Sequence, residues 1–381
     1  MKNNTSTTYQ VQWYDAIAKI AEQDWFACFK DRAPVCSYEY NHALEIAMGA
    51  STKFSYLVVR KQAQVIAITA CFEYEFAIDT ITTGLIKKVI LSLRKYYPRF
   101  MIVRSLFAGH LTSVGDNLWG INYDEVGEDD EAEVLLLIAQ KVKEQSKRRS
   151  ALFTVFKEFS KEDKRRYELP LKSELLFANS IPSAELTLKP RAAYIDQIKS
   201  KYKSILKARK KRFNSYGLAC DIIYDAEPYK KEIYRMYSDL LVEAEVKFEF
   251  LNEDYFVNIL KKVPGAFLVI VKQDQKVVGF SLNIEGEEAV YGLYLGYDNE
   301  VKDSNIYFNL FYKVIHEAIT RKKNKVFLGQ TSYEVKAGLG ATFNDLYIGI
   351  HSSNFLLNIL IRRLKDVLFP KTKIAERNVW N

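Results

Sequence analysis

Apolar and polar positions along the chain alternate with two periods, and the order of those periods predicts a mixed α/β protein. Glu39–Met48 has a helical pattern. Two β-rich runs follow, Ser55–Arg60 and Gln64–Tyr74, joined across the polar Lys61–Ala63 as in a hairpin. Leu85–Tyr97 predicts a helix in which Leu85, Ile86, Val89, Ile90 and Leu93 share a face and Lys87, Lys88, Arg94 and Lys95 lie outside it. Phe100–Leu106 reads as a strand that enters a loop, Phe107–Leu118, containing Gly109, His110 and Gly115. Asp129–Arg149 is a long helix, acidic at its start and basic at its end, which suits the helix dipole. Ala151–Phe156 is a strand.

A charged stretch, Lys161–Lys172, punctuated by Pro170 and Pro182, marks a boundary near Ser180. The expected domains are therefore residues 1–180 and 181–381. The second opens with a strand at Ser183–Leu188, a basic helix at Tyr194–Phe213, a strand at Ala219–Tyr224 and a helix at Tyr229–Val246. Ala266–Lys272 and Lys276–Glu285 form another hairpin pattern. Ala289–Gly296 is a strand, Ser304–Arg321 a helix, Lys325–Gly329 a strand, Tyr333–Leu339 a short helix and Asn344–Ile350 a closing strand. Both halves run helix, hairpin, helix, strand, helix, strand. They share this order and no identity-level repeat.

Composition narrows the class. At 381 residues the chain exceeds what one core usually serves, and 48% apolar with 27% charged residues excludes a disordered, collagenous or disulfide-scaffold protein. Sixteen Gly and eight Pro leave little room for dinucleotide loops. A net charge of +8 suggests an anionic partner: a phosphate-bearing co-substrate, RNA or a lipid surface. Cys28, Cys36, Cys71 and Cys220 have no paired ligand spacing, and the four histidines form no HExxH pair, so no metal site is expected. The polar Met1–Gln10 shows no apolar signal region, and Val134–Ala139 and Ala266–Val271 are too short to span a bilayer. These features point to the cytoplasm, with a peripheral position on the inner membrane face as a further option.

Two stretches hold candidate chemistry. Lys199–Arg212 contains eight basic residues, among them Lys203, Arg209 and Lys210, and no acidic residue follows Asp196 until the helix ends. With Ile195, Ile198, Tyr202, Ile205, Leu206 and Phe213 turned inward, the cations form either a solvated face or an anion platform. The second stretch, Leu328–Ala341, runs from a strand through Gln330, Thr331 and Ser332 into a short helix with Lys336 and then Gly338 and Gly340. It is either an ordinary capped turn or a place where main-chain N–H groups hold an oxyanion or phosphate.

These residues resemble the GNAT-like acyltransferases built as tandem GNAT domains, related to the Fem aminoacyl transferases. The resemblance rests on the basic helix with Ser200-Lys201-Tyr202-Lys203, on Ala244–Glu249 leading to Leu251–Phe256, and on Gly329–Ala341 with its Lys-x-x-x-Gly. It implies an α/β fold of two GNAT-like domains in tandem, each a mixed, mostly antiparallel sheet flanked by helices. The implied site lies in the second domain or in the cleft between the domains. One departure stands out: Tyr297–Asn305, where ordinary acetyltransferases have a glycine-rich pyrophosphate loop, contains no glycine and places acids where a pyrophosphate would sit.

The implied activity is N-acyl transfer from an acyl-CoA or acyl-carrier-protein thioester, as co-substrate, to the primary amine of a small molecule or lipid. No tightly bound cofactor is expected. The alternatives are an aminoacyl-tRNA-dependent transferase and a non-catalytic protein that binds an anionic membrane surface through Leu85–Tyr97, Tyr194–Phe213 and Phe355–Lys365. Acyl transfer needs a base for the amine and a donor for the oxyanion. His110 and Glu245 are the candidate bases, and Tyr294 or the Gln330–Ser332 turn the candidate oxyanion donors. Lys203, Arg209, Lys210, Gln330, Thr331, Ser332 and Lys336 are the candidate donor-binding residues.

Overall fold

A computed structural model describes residues 9–77, 84–189, 191–243 and 250–381. The first part of the chain forms β1 (Tyr9–Tyr14), α1 (Glu22–Cys28), α2 (Tyr38–Met48), β2 (Lys53–Lys61), β3 (Gln64–Ala77), α3 (Gly84–Arg94), β4 (Ile102–Ala108), β5 (Trp119–Ile121), α4 (Glu128–Arg148), β6 (Phe153–Phe159), α5 (Lys161–Leu171) and β7 (Leu176–Asn179). Then follow β8 (Ser183–Thr187), α6 (Tyr194–Gln197), α7 (Ser200–Ser215), β9 (Leu218–Ile223), α8 (Lys230–Glu243), α9 (Glu253–Lys262), β10 (Ala266–Gln273), β11 (Lys276–Glu285) and β12 (Ala289–Tyr297). The remainder forms α10 (Ile306–Thr320), β13 (Lys325–Gln330), α11 (Tyr333–Gly338), β14 (Thr342–Asn344), β15 (Tyr347–Ser352), α12 (Phe355–Arg363) and α13 (Lys365–Leu368).

The chain divides into two compact units. One holds residues 9–45, 49–180 and 346–371, the other residues 46–48, 181–345 and 372–381. Each unit has one sheet, ordered β1-β2-β3-β4-β6-β15-β7 in the first and β14-β8-β13-β12-β11-β10-β9 in the second, with β5 added beside β3. Among the described residues every pairing is antiparallel except β4 with β6 and β12 with β13. The closing strand expected at Asn344–Ile350 is β15, and it lies in the first sheet, between β6 and β7, rather than in the second.

Local chemistry accounts for the elements. Glu128, Asp129, Asp130 and Glu131 open α4 and Lys147 and Arg148 close it, complementing the dipole. Its buried stripe, Val134, Leu135, Ile138, Ala139 and Val142, packs into the first core with Leu106, Trp119, Phe156 and Phe159. The charged Lys161–Lys172, read from sequence as a boundary segment, folds instead as α5. A reciprocal Ser160–Asp163 capping box starts it, and buried Tyr167 and Leu171 anchor it. The basic stretch Tyr194–Phe213 is two helices, because the chain is extended at Ile198 and Lys199.

In the second unit β10 and β11 are buried on both faces. One face is covered by α10, through Ile306, Leu310, Val314 and Ile315, and by Phe213 of α7. The chain's last residues also belong to this unit. Val379 is fully buried, and the Trp380 indole donates to the Gly340 carbonyl at 2.8 Å. Gly340 has a φ of +86°, and a Cβ there would lie 2.8 Å from the Trp380 ring. Gly340→Ala therefore combines a left-handed backbone with overpacking and should destabilise the protein by about 2–4 kcal/mol. The shift of the urea midpoint measures this, and an unchanged midpoint would refute the packing argument.

Candidate active site

The second sheet has a fork in it. β12 and β13 run parallel for three residue pairs, Ala289 with Lys325, Val290 with Val326 and Tyr291 with Phe327. Beyond that point β12 continues to Tyr297 with β11 on one side and, among the described residues, no strand on the other. β13 turns away as its register against β8 shifts between Phe327 and Gln330, with Gly329 at a φ of +70°. Gly292 and Gly329 face each other at the apex: a Cβ on Gly329 would sit 3.6 Å from the Gly292 carbonyl. β12 also bulges against β11, where Leu282 pairs with Tyr294 and Asn283 with Gly292, so Leu293 is the extra residue. Asn283 is fully buried behind the bulge and bonds to the Ser281 carbonyl and hydroxyl.

The turn after β13 is strained. Thr331 and Ser332 both have positive φ, 63° and 49°, a conformation costly for residues other than Gly. They lead into α11, which places Lys336 beneath the turn. This lysine is 2% exposed and donates from Nζ to the Gln330 carbonyl at 2.6 Å. No carboxylate pairs with it among the described residues, and burial pulls its ammonium down to about 7. On the other side of the turn Tyr307, in the first turn of α10, hydrogen-bonds to the Ser332 side chain, and burial raises its hydroxyl to about 12. The Tyr291 and Phe327 rings stack at 4.6 Å between the diverging strands.

The start of α10 is an anion-binding geometry. Its N-cap, Asn305, is left-handed and makes no side-chain cap, and the Ser304 hydroxyl is fully buried without a partner among the described residues. Arg212 donates to the Asp303 carbonyl at 2.5 Å, and Arg209 lies 3.3 Å over the Phe308 ring and bonds to the Tyr312 hydroxyl. Two of the three acids of this loop, which in the sequence oppose a phosphate, are paired with cations. Asp298 is bridged by Arg235 and Lys276 at 3.1 and 3.0 Å, and Glu300 by Lys276 at 3.4 Å. Burial works against Asp298 ionisation, but those two cations outweigh it and hold its carboxyl below the usual range.

The candidate residues thus fall into separate places. Gln330, Thr331 and Ser332 form the turn that ends β13, Lys336 is buried beneath it, and Arg209 reaches the α10 start. Lys203 is half-buried on α7. Lys210 borders a cleft of about 840 Å³ floored by Tyr194, Leu206, Phe213 and Tyr312. Tyr294 is held edge-on by Tyr237 and Tyr255, each at 5.7 Å, in an aromatic cluster with Phe256. Glu245 lies outside the described residues, as do Lys247 and Glu249. Tyr307 escapes sequence reasoning because it sits within an apolar helical pattern.

His110 belongs to the first unit and is fully buried. Its Nε2 lies 3.6 Å from the Cys36 sulfur, which also faces Asp116 at 3.5 Å, and Asp116 pairs with Arg32. Burial, reinforced by Lys157 and Arg32, pushes the imidazole well below its usual range. The first unit has its own parallel pair, Ser105–Ala108 of β4 beside Phe153–Phe156 of β6. The space beyond this pair is filled by the loop that carries His110. Lys157 donates to the His110 carbonyl at 2.8 Å, and Glu158 accepts from the Gly115 N–H at 2.9 Å. In this conformation a base at His110 has no access to solvent or substrate.

The FemAB-like family profile, described as peptidoglycan biosynthesis and recognition, matches residues 16–344, and the chain belongs to that family. Three solved structures share its fold. FemX is 10% identical over 92% of this chain and 99% of its own, with a TM-score of 0.56. The C-terminal domain of an Agrobacterium fabrum protein designated a lysylphosphatidylglycerol synthetase is 10% identical over 95% and 100%, with a TM-score of 0.53. A tandem GNAT protein from the clavulanic acid biosynthesis pathway is 9% identical over 91% and 99%, with a TM-score of 0.53. No curated protein sequence matches the chain. The fold is therefore of the acyltransferase type, two GNAT-like units in tandem. Among the described residues no helix is long and apolar enough to cross a membrane.

The state of Lys336 gives a pH-dependent prediction. Its folded value of about 7 lies below the unfolded 10.5, so between these pH values the unfolded chain holds a proton that the folded one lacks, and stability rises with pH. The penalty is absent above pH 10.5, grows as pH falls, and is complete below 7. Lys336→Met removes it and should stabilise the protein by up to about 4 kcal/mol at pH 6, and by nothing attributable to this amine at pH 10.5. Melting curves across that range test it; a pH-independent difference would show that Lys336 is charged in the fold.

Proposed function

We propose that the protein is an acyltransferase that moves an acyl group from an activated ester or thioester to a primary amine at the β12–β13 fork. The observation that carries this reading is Lys336, buried beneath the turn that ends β13 with no acid beside it among the described residues, in a chain of the FemAB-like family. Strands that part expose main-chain donors and acceptors, to which an extended, amide-containing donor can pair. As the amine attacks, negative charge grows on the former carbonyl oxygen. Lys336, protonated as that charge develops, and main-chain groups at the Leu293 bulge supply the compensating positive potential. On this reading the Lys336 ammonium also gives the leaving group its proton, and the proton that Glu245 takes from the acceptor amine restores the balance.

The phosphates of the donor are assigned to the α10 start, beside Arg209 and Arg212. An acyl-CoA or an acyl-carrier-protein thioester satisfies this arrangement. A larger polyanion, aminoacyl-tRNA, is favoured by one feature. Among the described residues Lys201, Lys203, Lys207, Lys210 and Lys211 of α7 pair with no carboxylate, and the helix presents them over roughly 15 Å. The acceptor is the primary amine of a small molecule or lipid, deprotonated by Glu245 on the sequence reading.

Thermal unfolding with coenzyme A, acetyl-CoA, a long-chain acyl-CoA, and charged and uncharged tRNA separates these donors. A ligand at a hundred times its Kd stabilises by about 2.7 kcal/mol, a readable melting shift. A shift with acyl-CoA alone assigns a thioester donor and a shift with tRNA alone an aminoacyl donor. No shift with any of them leaves carrier-protein thioesters to be tried with the same readout. With the responding donor, Lys336→Met should lower kcat about 10²–10³-fold with little change in KM. Retained turnover in that variant would remove Lys336 from the chemistry. By contrast, His110→Gln should lower stability by about 1–3 kcal/mol, for it disturbs a buried polar cluster, and leave kcat within a factor of about two.

A further inference from the structure

The first unit carries a helix whose apolar side faces out. Asn354 caps α12 by accepting from the Leu356 and Leu357 N–H groups at 2.9 and 3.2 Å. Asn358 then clamps the helix to the end of β15, accepting from the Ser352 N–H at 2.7 Å and donating to its carbonyl at 2.6 Å. Polar bonds therefore fix the helix in place, helped by the half-buried Leu357, Ile359 and Ile361. Leu356, Leu360 and Leu364, spaced by four, form an adjoining stripe turned further out and are 72%, 50% and 39% exposed. Phe355 and Val367 extend the same surface at 73% and 76%. No residue of α12 is buried. A run of large apolar side chains held out into water in this way marks a contact surface.

Charge selects the partner. Arg362, Arg363 and Lys365 follow the leucines and make no ion pair among the described residues, and Asp366 is the lone acid between Phe355 and Lys373. Two copies of this face would bring like charges together, and an acidic protein would leave the leucine stripe unexplained. We infer that α12 and α13 form a membrane-adsorbing surface for anionic phospholipid, with Phe355, Leu356, Leu360, Leu364 and Val367 in the acyl boundary and Arg362, Arg363 and Lys365 among the headgroup phosphates. The surface belongs to the first unit and does not rest on the assignment of chemistry to the fork.

Sedimentation of the full chain with vesicles tests this. Phosphatidylcholine vesicles with about 30% phosphatidylglycerol should carry the protein down at low salt, less so at raised salt, and pure phosphatidylcholine should carry down little. Leu360→Asp with Leu364→Asp should weaken binding about tenfold or more, at an unchanged melting temperature because both side chains are exposed. Arg362→Ala with Arg363→Ala should weaken binding to the anionic vesicles alone. Absence of binding to either vesicle, or binding indifferent to the two aspartates, overturns the inference. A dimer in analytical ultracentrifugation that the aspartates dissociate also overturns it, in favour of a second copy on this face.

Discussion

The site depends on one register. In a sheet whose other pairings are antiparallel, β12 and β13 meet in parallel for three residue pairs and then separate. Parallel neighbours need a long crossover, which α10 supplies, and the crossover leaves the start of that helix at the open end of β12. The separation has glycine at both apex positions: a Cβ on Gly292 would sit 3.2 Å from the Phe327 carbonyl, and Gly329 has a φ of +70°. It also forces β13 into a turn that only Thr331 and Ser332 in left-handed conformations complete, and that turn sets the position of Lys336. Fork, helix start and buried amine follow from the same short pairing.

The first unit shows what becomes of the pattern when the fork is filled. Its β4 and β6 also run parallel for a few residues, but Gly109–Asn117 folds back into the space beyond. Lys157 and Glu158, from the strand that would form one prong, hydrogen-bond to the loop main chain. Buried loop carbonyls and N–H groups must find partners, and these two side chains provide them. A polar cluster of Arg32, Cys36, His110 and Asp116 then occupies the interior. Two units of the same strand order thus differ in a physical respect: one fork is packed by a loop, and in the other, among the described residues, β12 stays half-buried from Tyr291 to Leu295.

Much of this order was legible in the periodicities. The hairpins β2–β3 and β10–β11, the helices α4 and α10 and the strand-to-helix turn at Gln330–Lys336 all announce themselves by spacing, because a period reports which side of an element meets a core. Partnership across the chain leaves no such mark. β15 reads as a strand at once, yet nothing in its residues says that it pairs with β6 and β7. The acids at Asp298 and Glu300 look hostile to phosphate until Lys276 and Arg235, far off in sequence, are brought against them. His110, in a polar glycine-bearing loop, has the composition of an exposed site; its burial depends on Lys157 and Glu158, which lie on another strand. Lys161–Lys172 looks like a linker because its charges outnumber its two buried anchors.

A lysine buried with no carboxylate beside it among the described residues is expensive to keep, and in the proposed acyl transfer its electrostatics give that expense a use. Had an acid been placed beside Lys336, the amine would be charged in the resting protein and its field already quenched by the partner. Left alone, it titrates near neutrality, so it gains a proton at little cost when negative charge appears beside it. The attraction is then stronger for a developing oxyanion than for the neutral carbonyl that precedes it. That difference between transition state and ground state is the only kind of binding that accelerates a reaction. The strained turn over Lys336 has the same logic: left-handed Thr331 and Ser332 aim the Gln330 carbonyl at the amine and so keep it positioned while it is neutral.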